Sequence, residues 1–123
     1  MRWAMLAVAA ALLVLCAADP AWAGYGALAR DQATGKFGLS WNKQTQKAAE
    51  EAAMKDCGES TCKIVFRSGP RQCGAIATAT KEKSTAWGAA RKRTRAAAEL
   101  AAMQDCQKHT SGQCKLRATG CNR

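Results

Sequence analysis

Thr45-Gln-Lys-Ala-Ala-Glu-Glu-Ala-Ala-Met-Lys-Asp-Cys57 and Thr94-Arg-Ala-Ala-Ala-Glu-Leu-Ala-Ala-Met-Gln-Asp-Cys106 are one segment written twice, identical at nine of thirteen positions. Each copy follows a segment containing a tryptophan (Trp41, Trp87) and precedes two further cysteines. The chain is therefore a tandem pair of small units, and its cysteines belong to the repeat.

Working outward from the first copy, Thr45 is placed as an N-cap, since its hydroxyl can accept from a free backbone donor of the first turn. Ala48, Ala49, Ala52, Ala53 and Cys57 share one helical face, and Gly58 stands where a helix stops. Upstream, Phe37, Leu39 and Trp41 alternate with Gly38 and Ser40, the period of a half-buried strand. With Tyr25–Arg30 and the turn around Gly35 they predict a hairpin. Downstream, Cys62-Lys63-Ile64-Val65-Phe66-Arg67 reads as a third strand. The second copy repeats this order: Gly74-Ala75-Ile76-Ala77 answers Gly26-Ala27-Leu28-Ala29, Trp87-Gly88 answers Phe37-Gly38, and Cys114–Ala118 answers Cys62–Phe66. The expected class is α+β: a tandem β-β-α-β pseudo-repeat, with two alanine-faced helices on one face of a mainly antiparallel sheet of six strands. Trp41 and Trp87 are taken as repeat-equivalent core residues.

The first 23 residues read as a secretory signal peptide: Arg2, an apolar run from Ala4 to Ala18, and Ala21-Trp22-Ala23 as cleavage site. The run is short for a membrane span, which takes about 20 residues, and Leu15 before Cys16 argues against a lipidation site. The mature chain, 24–123, is one domain's length, divided at about 24–73 and 74–123. It has no later apolar run that could cross a membrane. It holds 18 Lys and Arg against 8 Asp and Glu, so the net charge stays at +10. Such a field favours acidic partners: anionic polymers, lipid headgroups or acidic proteins. Nineteen mature residues are alanine and large apolar residues are few, Leu100 among them. A small core of this kind needs covalent staples.

Six mature cysteines in a short exported chain read as a disulfide framework. Six allow 15 pairings, and the repeat prunes them. Cys57–Cys62 and Cys106–Cys114 are local and equivalent, leaving Cys73–Cys121 as a bridge expected to tie the two halves together. On loop-closure entropy the local bridges would contribute roughly 2–2.6 kcal/mol each and the long one roughly 4. Zinc sites favour Cys pairs two to four residues apart, a poor match to the seven residues between Cys106 and Cys114.

Tyr25-Gly26-Ala27-Leu28-Ala29, Ala48-Ala49-Glu50, Cys57, Cys62, Cys73-Gly74-Ala75, Trp87-Gly88, Ala97-Ala98-Glu99, Cys106, Cys114 and Cys121 form a frame covering nearly the whole mature chain. It resembles the bacterial secreted family catalogued as domain of unknown function 4189. The resemblance implies a small exported domain with paired cysteines; it implies no reaction and no cofactor.

No catalytic constellation stands out. His109 is the one histidine, with Asp105 and Ser111 nearby, but a loop imidazole facing water is the simpler reading. Glu50 and Glu99 are repeat-equivalent, yet both sit among charged helix neighbours rather than across a cleft. The sharpest signal is Arg91-Lys92-Arg93-Thr94-Arg95, four cations where the first unit has one in Asn42-Lys43-Gln44-Thr45-Gln46. Cations at a helix N-terminus oppose its dipole, which suggests a use for the charge. Aromatics are too few for a nucleic-acid stacking platform. The sequence thus points to a non-enzymatic binding domain, secreted or periplasmic, without cofactor or metal. It would engage an anionic polymer, an acidic protein or the envelope surface through Arg91, Lys92, Arg93 and Arg95. A secreted effector acting on membranes and a cell-envelope hydrolase using His109 or the Glu50/Glu99 pair are the alternatives.

Overall fold

The structure, a computed structural model, describes residues 24–123; the expected signal peptide and its cleavage site after Ala23 lie outside the described residues. The elements are β1 (Tyr25–Arg30), β2 (Phe37–Lys43), α1 (Gln46–Cys57), β3 (Lys63–Ser68), β4 (Cys73–Ala79), β5 (Trp87–Lys92), α2 (Arg95–Gln107) and β6 (Cys114–Cys121). Thr45 and Thr94 each cap a helix, accepting from the N–H of Ala48 at 3.0 Å and of Ala97 at 3.2 Å. Gly58 closes α1 at φ 80°, its N–H donating to the Met54 carbonyl.

The class is α+β and the β-β-α-β order occurs twice, with all strand pairs antiparallel. In place of one six-stranded sheet there are two sheets of three, ordered β2-β1-β3 and β5-β4-β6. Each has its own helix. Ala27 and Ala29 of β1 pack on Ala49, Ala53 and Cys57 of α1, and Ala75 and Ala77 of β4 on Ala98, Ala102 and Cys106 of α2. By the pleat, Leu28 and Ile76 then point to the opposite faces, yet both are fully buried. The cover is the other sheet: a Cβ added at Gly120 would collide with the Trp41 indole, and one at Gly74 would meet Phe66 and Trp41. The layers run helix, sheet, sheet, helix. Alternation along a strand of small residues does not distinguish one wide sheet from two stacked ones. Central strands buried on both faces do.

Each third strand carries an extra residue. Phe66 faces Leu28 and Ile64 faces Ala29, leaving Val65 over; Ala118 faces Ile76 and Leu116 faces Ala77, leaving Arg117 over. In β3 the bulge puts Ile64 on the helix side and Phe66 against the opposing sheet, and in β6 it leaves Leu116 on the helix side. Leu100, counted toward the core, stands 61% exposed on α2.

The bridges are Cys57–Cys62, Cys106–Cys114 and Cys73–Cys121. The last does not join the two units. Cys73 is the first residue of β4 and lies directly across from Cys121 in β6, so the second unit begins at Cys73 and the bridge staples one sheet internally. The units are joined instead by packing and by Asn122. Its buried side-chain amide donates to Ser68 Oγ and the Gly69 carbonyl, both at 2.9 Å, and its Oδ1 accepts the Asn42 N–H at 3.0 Å. Asn122→Ala strands these partners in a buried seam and should lower unfolding free energy by about 1–3 kcal/mol in urea titration. Gly120→Ala should lower the melting temperature by displacing the Trp41 ring, whereas Gly69→Ala, with its nearest neighbour 3.7 Å from the added carbon, should not.

Candidate functional site

The repeat is not symmetric in the sheet interface. Gly38 and Gly88 are true counterparts: each sits beside an inner alanine of its sheet and against the backbone of its helix. Counting on from them, Phe37 matches Trp87, Leu39 matches Ala89 and Trp41 matches Arg91. The two tryptophans are therefore not equivalent, contrary to the sequence expectation. On the side where β2 meets β6, the Trp41 indole lies on Gly120 and closes the seam. On the side where β3 meets β5, a methyl and a guanidinium replace the isobutyl and the indole, and the seam stays open. Two adjoining hollows of about 430 and 440 Å³ run along it and share Val65 and Trp87. Val65, the bulged residue, is 38% exposed.

Arg30 reaches this seam from the central strand β1. It is 8% exposed, its guanidinium lies 4.6 Å from the centre of the Trp87 ring, and Nη2 donates to the Thr85 carbonyl at 3.3 Å. Its Nε is buried and has no hydrogen-bond partner among the described residues. Burial lowers the Arg30 pKa and neighbouring Asp31 opposes the shift. Asp31 is itself buried, accepting from Thr34 Oγ1 at 2.7 Å and Thr61 Oγ1 at 2.9 Å. The Thr34 hydroxyl, then that of Thr61, holds its carboxyl below the ordinary carboxylate range. Farther along, Arg91 donates from Nη1 to the Arg67 carbonyl, crossing between the sheets, and Asp105 accepts the Ala89 N–H at 3.1 Å. Asp56 does the same for Leu39 at 3.0 Å, so each helix caps the free edge of its neighbouring strand. Each lining carboxylate of the seam thus has an internal hydrogen-bond partner.

The predicted cations fall at one end of it. Arg91 and Lys92 end β5, Arg93 lies in the turn and Arg95 opens α2; all are exposed, and none takes part in an ion pair among the described residues. Arg93 also lines, with Arg71, a separate hollow of about 470 Å³ formed by the β3–β4 turn. Lys115 and Arg117 belong to β6, and Arg67 is paired with Glu50. Glu50 and Glu99 sit on helices in the two outer layers and are not brought together. His109 Nε2 stands 3.7 Å from Asp105 Oδ1, beyond hydrogen-bond length, and both side chains are largely in water. Among the described residues no three His, Cys, Asp or Glu side chains gather as a metal site would require, and no helix is long and apolar enough to cross a membrane.

Residues 25–121 match the family described as Domain of unknown function (DUF4189). The uncharacterized protein Rv1813c of Mycobacterium tuberculosis is 42% identical over 53 residues, 43% of this chain and 35% of that protein. Protein Rv1269c of the same species is 43% identical over 53 residues, covering 43% and 40%. The matched stretch spans about a third of the length of the first of these relatives. The NMR structure of Rv1813c superposes with a TM-score of 0.57 at 30% identity, over 80% of this chain and 75% of that one.

Asp31 gives the site a pH signature. Its folded pKa lies below the value of about 3.9 expected in the unfolded chain. Its contribution to stability is therefore complete above that pH and is lost as pH falls through the folded value. Asp31→Asn should be less stable than the wild type at neutral pH, and the difference in urea midpoint should shrink toward zero in strong acid.

Proposed function

We propose that this chain, which belongs to the DUF4189 family, is an exported, non-enzymatic binding domain that holds an acidic polymer or acidic protein against Arg91, Lys92, Arg93 and Arg95. The observation that carries the reading is four exposed cations without carboxylate partners among the described residues, at the one end of the repeat where the first unit has a single lysine. Their charge is uncompensated and partly opposes the α2 dipole, so folding alone does not call for it. Arg71 and Arg93 around the neighbouring hollow extend the same field. The three bridges are compatible with residence in the periplasm or outside the cell, where thiols oxidise.

Replacing Arg91, Lys92, Arg93 and Arg95 with glutamine should weaken retention on immobilised polyglutamate about tenfold or more at low salt and flatten its salt dependence. A control carrying Lys47→Gln and Lys55→Gln, on the exposed side of α1, should bind as the wild type does. Equal loss in both proteins would reduce the effect to net charge, and unchanged retention in the first would remove the reading.

A further inference from the structure

We infer that the open seam between β3 and β5 is a docking groove for an extended acidic segment of a partner protein, with one apolar side chain of that segment taken up beside Val65 and Trp87. This rests on the reading that the partner is acidic, and it adds where and in what form the partner is recognised.

Three observations converge. The seam is open by substitution, not by design of the frame: on the equivalent side the Trp41 indole closes it, where this side has Arg91, and Ala89 stands at the position of Leu39. Large apolar side chains in a small domain are few, and the seam leaves Val65 38% exposed beside a half-buried Trp87. That is apolar surface without a cover among the described residues. The rim is cationic. Lys63 flanks one hollow and Arg91 the other, both exposed, with the Arg30 guanidinium beneath and its buried Nε unpartnered among the described residues. The lining acids keep their charge but are outnumbered: Arg30 and Lys63 stand against Asp31 in one hollow, and Arg91 with the Glu50-paired Arg67 against Asp105 in the other.

The shape selects the form of the ligand. β3 has six residues and spans about 20 Å at 3.3 Å per residue. A groove of that length between two strand edges suits a chain lying extended, whose side chains alternate between wall and water. An apolar residue in the middle meets Val65, Ala89 and Trp87, and carboxylates to either side meet Lys63 and Arg91. A uniformly charged polymer would use the rim and leave the apolar floor wet.

A random octapeptide library displayed on phage and selected on the full mature domain tests this. Enriched sequences should combine Asp or Glu with a large apolar residue two positions away. A peptide synthesised from them should bind about tenfold more weakly to Ala89→Leu, which puts the first unit's isobutyl group into the hollow, and to Val65→Ser, which removes apolar contact at an exposed site and spares the fold. Both variants should keep wild-type retention on polyglutamate. The inference is overturned if nothing is enriched on the wild type over Ala89→Leu, if enriched peptides are acidic without an apolar position, or if a folded Val65→Ser binds them unchanged. Each of these leaves the 91–95 surface standing. Conversely, groove-dependent peptide binding with polyglutamate retention indifferent to the four glutamine substitutions would remove that surface and keep the groove.

Discussion

The fold depends on how closely a helix backbone can approach a strand. Gly38 lies against the Ala53 carbonyl and the Cys57 nitrogen, and Gly88 against the Ala102 carbonyl and the Cys106 nitrogen, so tightly that a Cβ at either glycine would overlap main-chain atoms. Main chain cannot swing aside as a side-chain end can. The helical faces that make this contact are alanine for the same reason: Ala49, Ala53, Ala98 and Ala102 are wholly buried with nothing longer than a methyl between the layers. A core this thin gains little from each contact. Cys57 ends α1 and Cys106 lies in the last turn of α2; their bridges fix those ends, and Asp56 and Asp105 tie the same ends to the strand edges.

With the helices so close on one side, the large side chains there, Ile64 and Leu116 among them, stay at the margin of the alanine contact, and the centre of each sheet has its other face for bulk. Leu28, Ile76, Phe66 and Trp41 collect there, and the two units become halves of one sandwich rather than neighbours on a string. A duplicated frame would close both lateral seams alike. One is filled by an indole over a glycine; the other holds an arginine that bonds a carbonyl across the gap and leaves room beside it. The departure from symmetry coincides with the exposed valine, with the buried guanidinium stacked on Trp87 and with the run of cations that the sequence marks out.

Much of this was legible in the residues. Duplication gave the order of elements, Thr45 and Thr94 the helix starts, and alanine spacing the buried helical faces, because each is a local rule acting on neighbours in the chain. The unreadable parts are relations across distance. Small residues alternate as well in one wide sheet as in two stacked ones. The bulges at Val65 and Arg117 reset which side chains face which layer without a sequence signature. An extra residue near Asn42, at φ 54°, shifts the first unit against the second, so Trp41 and Trp87 look matched by eye and are not. Asn122 sits past the last repeat element, where nothing in a lone polar residue tells of a buried amide joining two halves. Arg30 and Asp31 read as a strand end and a turn; the first is covered by Trp87 of the other unit, and the second is held by Thr34 and by Thr61, thirty residues on.

The placement of the sulfur bridges has a consequence for connectivity. One closes a loop inside the first half and two lie inside the second, so among the described residues the stretch 69–72 is the sole covalent link between the halves. A protease that cut there would leave a two-chain complex, held only by non-covalent contacts such as those of Trp41, Phe66, Asn122, Arg30 and Arg91, and free to come apart on dilution. By the same token, two intact copies could trade halves through that short hinge, each completing the other's sandwich, with no thiol exchanged.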